Sequence, residues 1–113
     1  MAEKFGLKTE TIEKIRAVLA GFEQIRTATL YGSRAIGNYQ PGSDIDLTLT
    51  TFENLPASFL NRVATALDDL DLPYTFDVSL LAQIDNDNLR DHISRVGVEF
   101  YNAETYTPEQ RRA

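Results

Sequence analysis

The sequence has 113 residues, 42% of them hydrophobic and 25% charged, and it contains no cysteine. This composition indicates one globular domain over residues 1–113 and excludes disulfides, thiolate metal sites and a thiol nucleophile. The formal net charge of −6 repels polynucleotide phosphates, which argues against nucleic acid as the main partner. No stretch reaches the roughly 18 consecutive apolar residues of a membrane span, so we expect a soluble, cytoplasmic protein without a membrane partner.

A first helix is predicted after Lys8, with Thr9 as its N-cap and Gly21 near its end. Its inward face consists of apolar residues at helical spacing: Ile12, Ile15, Leu19 and Phe22. The β-branched and aromatic run 27–31 then predicts a short strand that ends at Gly32. The chain therefore opens with a helix and a strand.

A loop-rich connector follows this strand and spans residues 32–43. It has room for one helical turn but closes with the breakers Pro41 and Gly42. Residues 44–51 then alternate between apolar and polar side chains, which is the pattern of a strand with one buried face. The apolar side carries Ile45, Leu47 and Leu49, and the polar side carries Asp44, Asp46, Thr48 and Thr50.

A second amphipathic helix is predicted from about Pro56 and ends at residues 71–73. Its apolar stripe consists of Leu60, Val63, Ala64, Leu67 and Leu70. Residues 74–80 alternate again, which predicts a third strand. Asp77 falls on the polar side of that strand.

The last predicted helix runs from Asn86 or Asp87 to Gly97, with Leu89, Ile93 and Val96 facing inward. A short edge strand is expected at 98–101, and the tail from about residue 102, with Arg111 and Arg112, is expected to fray. Strands and helices alternate along the chain, which predicts an α/β (α+β) fold. We expect a small mixed β-sheet with helices packed mainly on one face, leaving the polar face free for chemistry.

The aspartates on the polar side form a candidate metal site. Asp44 and Asp46 lie two residues apart on one strand and so point the same way, with Cα atoms about 6.6 to 7 Å apart. Asp77 has the same polar orientation on the next strand. Magnesium prefers oxygen ligands and usually takes one or two carboxylates, with phosphate oxygens and water completing its shell. Three aspartates could thus hold one or two ions together with a triphosphate.

The turn before this strand is a candidate phosphate site. Gly32 ends a strand, where a glycine lets the backbone approach a phosphate closely, and Ser33 adds a hydroxyl donor. Arg34 offers a planar fork of donors to a triphosphate, and Ser43 lies directly before the metal strand. We therefore predict nucleotide binding at these four positions.

Gly32-Ser33, ten intervening residues and then Asp44-Ile45-Asp46-Leu47 form a pattern that resembles the G-S-x10-D-x-D signature of the polymerase-β-like nucleotidyltransferase superfamily. The chain looks closest to the minimal nucleotidyltransferase (MNT) antitoxins, of which the runs Gly-Ser-Arg-Ala and Ser-Asp-Ile-Asp-Leu are typical. The resemblance extends from the first helix to Tyr101. Asp77 matches the third acidic position of the family.

This resemblance implies a fold, an activity and a partner. A small mixed sheet with helices behind it would hold two Mg²⁺ ions and ATP, with Asp44, Asp46 and Asp77 as catalytic residues and metal ligands. An acceptor hydroxyl would attack the α-phosphorus and pyrophosphate would leave. Larger relatives bind the acceptor with a second domain, whereas MNT proteins resemble this short chain and transfer AMP to a tyrosine of an all-helical HEPN toxin.

Other interpretations remain open at this stage. The chain could act as an antitoxin by contact alone, with nucleotide as a ligand at most, or it could modify a small molecule such as an aminoglycoside at a subunit interface. Arg34 could be a solvated charge, and His92 is expected to be a surface histidine. Tyr31 could flank the nucleotide. Base preference, acceptor, the number of nucleotides added and the oligomeric state are not determined by the sequence.

Overall fold

The structure is a computed structural model that describes residues 3–108. In chain order, its elements are β1 (Glu3–Lys4), β2 (Leu7–Lys8), α1 (Thr9–Ala20), β3 (Ile25–Tyr31), α2 (Ser33–Ile36), β4 (Ile45–Thr51), α3 (Ala57–Asp68), β5 (Phe76–Leu80), a 3-10 helix (Leu81–Gln83), α4 (Asp87–Val96) and β6 (Val98–Asn102). None of the helices in this described part combines the length and apolar character needed to cross a bilayer.

The main sheet contains four strands in the order β5-β4-β3-β6. Strand β3 is antiparallel to both of its neighbours, whereas β4 and β5 are parallel. A parallel pair needs a crossover connection, and α3 provides it between these two strands. The mixed sheet predicted from the sequence is therefore confirmed.

One face of the sheet is apolar and is covered by the two long helices α1 and α3. The inward residues of β3 and β4 are fully buried, as the alternation predicts. They are Ala28, Leu30, Ile45, Leu47 and Leu49. The helices contribute Ile12, Ile15, Leu19, Phe59, Val63 and Leu67 to the same core. Burial of this face holds the polar side chains of the same strands on the opposite side.

Helix α4 lies on the polar side of the sheet. Its Ile93 is buried outside the main core, and its C-terminal Gly97 is so close to β3 that an added Cβ would lie 2.6 Å from Cγ2 of Thr29. The expectation that this face is left free is therefore only partly correct. The apolar stripe of α4 needs a surface to bury against, and the β3 end of the polar face provides it.

An N-terminal hairpin, formed by β1 and β2, has no counterpart in the sequence prediction. Its turn places Phe5 and Gly6 at φ 61° and 73°, which is the geometry of a tight two-residue hairpin. Leu7 is fully buried, and the Phe5 ring packs against Phe100 with ring centroids 6.2 Å apart. Strands of two residues are too short to show alternation, and Phe is an unusual residue at positive φ, so the sequence contains no signal for this hairpin.

Some element ends differ from the prediction. Helix α1 includes Thr9 as its first residue, and Lys8 occupies the N-cap without a side-chain hydrogen bond, so the predicted Thr9 cap is wrong. The N-cap of α4 is Asn86, whose Oδ1 accepts the Leu89 N–H at 3.0 Å. Tyr106 in the tail packs its ring 5.5 Å from that of Tyr101. Residues 109–113, including Arg111 and Arg112, lie outside the described part of the chain.

Candidate active site

The strand register brings the aspartates of two strands together. Asp46 of β4 is the direct parallel partner of Asp77 on β5 and the antiparallel partner of Tyr31 on β3. Adjacent strands are about 4.8 Å apart, so the three side chains emerge side by side on the polar face. The sequence placed Asp77 on the correct side of its strand, and the pairing of β4 with β5 places it beside Asp46.

The electrostatics of the site are dominated by like charge. The pKa of Asp46 is raised from 3.8 to about 6; burial is the largest cause, the neighbouring carboxylates of Asp77 and then Asp44 also raise it, and His92 lowers it. Asp44 and Asp77 are both exposed to solvent. The site therefore concentrates negative charge on one partly buried carboxylate, which a bound cation would relieve.

Gly32 is required beside Asp46 for steric reasons. The residue has φ 79° and ψ −158°, a conformation that side chains rarely adopt. An added Cβ would collide with the carboxylate of Asp46. Gly32 thus lets the turn and the carboxylate approach each other closely, and this contact explains why a glycine ends β3.

The turn after β3 is held by its own short helix. Gly32 occupies the N-cap of α2 and Ser33 begins the helix. The Gly32 carbonyl accepts the Ala35 N–H at 3.0 Å, and the Ser33 carbonyl accepts the Gly37 N–H at 3.0 Å. Gly37 ends the helix in the left-handed region, with φ 87°. The predicted helical turn in the connector is present, and it presents Ser33 next to Gly32 at the edge of the site.

Arg34 has a structural placement that differs from the predicted one. Its side chain is 2% exposed, and its guanidinium donates to backbone carbonyls. These bonds are Nε to Ser43 at 3.1 Å, Nη1 to Phe5 at 2.9 Å, and Nη2 to Ser43 at 3.0 Å and Pro41 at 3.4 Å. The guanidinium also stacks on the rings of Tyr39 and Tyr74. Arg34 thus ties the connector to the N-terminal hairpin, and the phosphate contact predicted for it stays a prediction.

Ser43 closes the same connector. Its Oγ accepts the Gln40 N–H at 2.8 Å, and its own N–H donates to the Gln40 carbonyl at 3.0 Å. Together with the two bonds from Arg34, these contacts set the path of the chain into Asp44 and β4. The nucleotide-binding role predicted for Ser43 stays a prediction, because the structure shows this residue in local contacts.

His92 belongs to the site, although the sequence interpretation placed it at the surface. The Gly32 N–H donates to its Nε2 at 3.2 Å, and its ring packs edge-on against Tyr31 with centroids 6.2 Å apart. The available signal was helical spacing, because His92 lies three residues after Leu89 and four before Val96 on the inward stripe of α4. That stripe packs against the polar face, which the sequence did not show.

Tyr31 lies next to Asp46 on the sheet, and its ring packs against His92 of α4. The residue is buried, and burial is the main cause that raises the pKa of its hydroxyl above 10.0. A hydrogen bond with Ser79 lowers that pKa, while the carboxylates of Asp77 and Asp46 raise it further. The hydroxyl therefore stays protonated at neutral pH and lies within the field of both carboxylates.

The side chains present fit a magnesium ion. Within residues 3–108, no three acidic or histidine side chains are gathered into a complete set of protein ligands. Magnesium does not need such a set, because one or two carboxylates suffice when phosphate oxygens and water supply the other positions. The donors here are carboxylate oxygens, and Asp44 and Asp77 are exposed and so have room to turn toward Asp46.

A mixed sheet with paired aspartates beside a Gly-Ser turn offers carboxylates to a cation and an open backbone turn to a phosphate. These two features together define the class of domain. The chain belongs to the polymerase β nucleotidyltransferase family, whose model matches residues 13–106. The resemblance seen in the sequence motif is thereby confirmed. No curated protein matches the chain in sequence.

Solved structures share this fold. A chain of a toxin–antitoxin complex with AMP-PNP superposes with TM-score 0.64 at 20% identity, covering 93% of this chain and 77% of that one. A chain of the MntA-HepT complex gives 0.63 at 18% identity, with 86% and 74% covered. A third, from the tri-AMPylated Shewanella oneidensis HEPN toxin in complex with MNT antitoxin, gives 0.63 at 18% identity, with 84% and 72% covered.

Proposed function

We propose that this protein is a magnesium-dependent nucleotidyltransferase that moves AMP from ATP to a hydroxyl acceptor, namely a tyrosine of a HEPN-type toxin, and so acts as an antitoxin. The observation that carries the proposal is the register of Asp46 against Asp77, directly beside Gly32. Membership of the polymerase β nucleotidyltransferase family supports the transfer of a nucleotide. Asp44, which is exposed and lies two residues before Asp46, is the third carboxylate of the proposed site.

Each residue has a proposed role in the reaction. Asp44, Asp46 and Asp77 would hold Mg²⁺, which when bound neutralises triphosphate charge and stabilises the charge that develops in phosphoryl transfer. Gly32 and Ser33 would receive phosphate oxygens at the turn, where the missing Cβ allows close approach. Asp77 is the more exposed of the two paired carboxylates, and it would accept the proton of the acceptor hydroxyl.

The bond changes follow from these roles. The acceptor oxygen forms a bond to the α-phosphorus while the bond from that phosphorus to the bridging oxygen breaks, and pyrophosphate leaves. The proton of the hydroxyl goes to the carboxylate. The chain supplies the nucleotide half of this site, and the proposed partner supplies the hydroxyl.

The choice of partner is supported by fold similarity. The three neighbours described above come from toxin–antitoxin complexes, one with AMP-PNP and one with an AMPylated HEPN toxin. These contents are properties of the neighbours, and their transfer to this chain is our proposal. The charge of −6 accords with a protein acceptor, since it disfavours a polynucleotide one.

The direct test is a transfer assay with α-labelled ATP, Mg²⁺ and a HEPN-type toxin as the acceptor protein. We expect label on that protein and loss of labelling when Mg²⁺ is chelated. Asp44→Ala and Asp46→Ala should each lower the rate at least about 100-fold, the scale on which lost electrostatic contacts reduce kcat. Asp85→Ala, which removes an exposed carboxylate elsewhere, is the matched control.

Labelling, measured together with neutralisation of the toxin, separates the alternatives. If Asp44→Ala and Asp46→Ala neutralise the toxin as well as the unchanged chain does, the chain acts by contact alone and our proposal is wrong. Label that appears on an aminoglycoside and not on the protein would identify a small-molecule transferase. Undiminished labelling in both alanine variants would remove these aspartates from the mechanism.

A further inference from the structure

His92 links α4 to the turn that the proposed function uses. Its Nε2 accepts the backbone N–H of Gly32 at 3.2 Å. The two residues are 60 positions apart in sequence. The bond therefore connects the end of β3 with a helix that follows the edge strand β5 in the chain. It is a long-range contact at the first residue of the predicted phosphate turn.

The peptide of Gly32 is held from two sides. On one side the Asp46 carboxylate lies so close that a Cβ would collide with it; on the other side His92 receives the N–H. A glycine has wide freedom in φ and ψ; the Gly32 carbonyl is held within the turn by the Ala35 N–H, whereas its N–H is held from outside the turn by His92. The imidazole therefore limits rotation of the peptide that faces Asp46.

The imidazole is itself held in place. Its ring packs edge-on against Tyr31 with an interplanar angle of 80°, and the neighbouring Ile93 is 7% exposed and anchors α4 on the sheet. Nε2 is the acceptor in the hydrogen bond from Gly32, and this bond requires the form of the ring that carries no proton on Nε2. The ring thus has one orientation and one tautomer that satisfy the Gly32 N–H.

We propose that His92 is a positioning residue of the nucleotide site, which fixes the Gly32–Ser33 turn relative to Asp46 through its Nε2 and so sets the affinity for the triphosphate. This inference rests on the proposed function and adds a residue from α4 to it. His92 acts through Gly32 and does not itself contact the reacting atoms.

The test compares variants that separate the acceptor atom from the ring. His92→Phe keeps a ring against Tyr31 but has no acceptor, whereas His92→Gln has an amide oxygen at similar reach. Exchange of the Gly32 amide hydrogen, measured by NMR without nucleotide, should become at least about 10-fold faster in His92→Phe and stay within about 3-fold of wild type in His92→Gln. Ser94→Ala, on the exposed side of α4, is the control.

The functional arm uses AMP-PNP binding and ATP kinetics. We expect the Kd for AMP-PNP and the KM for ATP to rise about 10-fold in His92→Phe, the scale seen when residues that orient a ligand are lost, with kcat changed less and with recovery in His92→Gln. Faster Gly32 exchange without any change in Kd or KM would overturn the positioning role. Equal impairment of both variants would show that an acceptor atom at this position does not restore binding, and it would overturn the positioning role too.

Two further points keep the test decisive. If His92→Phe does not fold, judged by thermal unfolding, His92→Leu removes the acceptor with a smaller side chain and replaces it in both arms. If no acceptor is labelled by wild-type protein, the transferase proposal fails, while amide exchange and AMP-PNP binding still test His92 without any turnover. If the Gly32 amide hydrogen exchanges at the wild-type rate in the variants that lack the acceptor, the hydrogen bond to His92 does not protect it and the proposal is wrong.

Discussion

Gly32 shows how one residue joins backbone geometry to the chemistry of the site. Its φ of 79° and its contact with the Asp46 carboxylate both exclude a side chain. Gly37 has a similar φ of 87°, but nothing lies within 4 Å of the position of its Cβ. Gly37 has ψ 8° and lies in the left-handed region, whereas Gly32 has ψ −158° and lies in a region essentially restricted to glycine, so the two positions differ both in backbone strain and in steric clash.

Substitution of these two glycines should therefore have unequal costs. Gly37→Ala should lower the free energy of unfolding by about 1 kcal/mol, the cost of a left-handed conformation for a residue with a Cβ. Gly32→Ala should cost about 1 to 3 kcal/mol more, because the carboxylate or the turn must move. Denaturant unfolding in EDTA measures both values. Equal losses of the free energy of unfolding in the two variants would show that neither the backbone conformation of Gly32 nor its contact with Asp46 adds to the cost of a side chain.

Asp46 makes the stability of the protein depend on pH. Its carboxyl group has a pKa of about 6 in the folded chain against 3.8 as the ordinary value, so the folded state binds the proton more tightly. The free energy of unfolding should therefore fall as pH rises from about 4 to about 6 and then level off. Because the group is partly solvated, we expect a fall of only about 1 kcal/mol.

Asp46→Asn should remove this pH dependence. Without Mg²⁺, the variant should unfold about 4 °C higher than wild type at pH 7, with the difference vanishing near pH 4. Thermal unfolding in EDTA across this pH range is the measurement. Asp85→Asn is the control for net charge, since it removes an exposed carboxylate. The same gain in that control would attribute the effect to overall charge and contradict a local origin.

Among the elements, the connector between β3 and β4 depends on one buried cation. The Arg34 guanidinium donates to carbonyls of Phe5, Pro41 and Ser43. The carbonyls of Phe5 and Ser43 belong to segments far apart in sequence, so the N-terminal hairpin and the entry into β4 are held as one unit. This arrangement sets the position of Asp44 at the start of β4.

Arg34→Ala should therefore destabilise the fold. We expect a loss of about 2 to 4 kcal/mol, because several charge-assisted hydrogen bonds disappear and carbonyls are left unpaired. Arg34→Lys should recover little, since an ammonium group lacks the planar fork that reaches separate carbonyls. Denaturant unfolding tests both variants. Arg95→Ala removes an exposed pair with Asp91 and should change stability by less than about 0.5 kcal/mol.

At the scale of the whole molecule, the charge of −6 bears on what can approach the site. The guanidinium of Arg34, which follows the Gly32-Ser33 turn, is buried against carbonyls and is not turned toward the acidic residues. Metal-bound nucleotide carries less net charge than free nucleotide, so a cation is expected to accompany ATP to the aspartates.

The same charge predicts weak binding to nucleic acid. A single-stranded 30-nucleotide DNA should show no retardation by the protein in a gel-shift assay at about 0.15 M salt, because few cations are available to displace counterions from phosphates. A basic protein of similar size serves as the positive control. Retardation that weakens as salt rises would reveal a basic surface and contradict the prediction.

The sequence determined the fold class and half of the site. Alternation along 44–51 requires one buried face, so Asp44 and Asp46 had to point away from the core, and the ten residues after Gly32-Ser33 placed them beside a turn. These conclusions were available because they depend on periodicity within one element, and the apolar stripes of α1 and α3 were predicted for the same reason, except that Phe59 of α3, which is buried in the core, was not included.

Only the tertiary structure decided which distant groups meet. The pairing of Asp46 with Asp77 is a register between separate strands, the bond from Gly32 to His92 spans 60 positions, and the burial of Arg34 depends on a hairpin with no sequence pattern of its own. Hydrogen-bond register and long-range packing depend on the whole chain at once. Periodicity identifies the face on which a side chain lies, and the assembled sheet decides its neighbour.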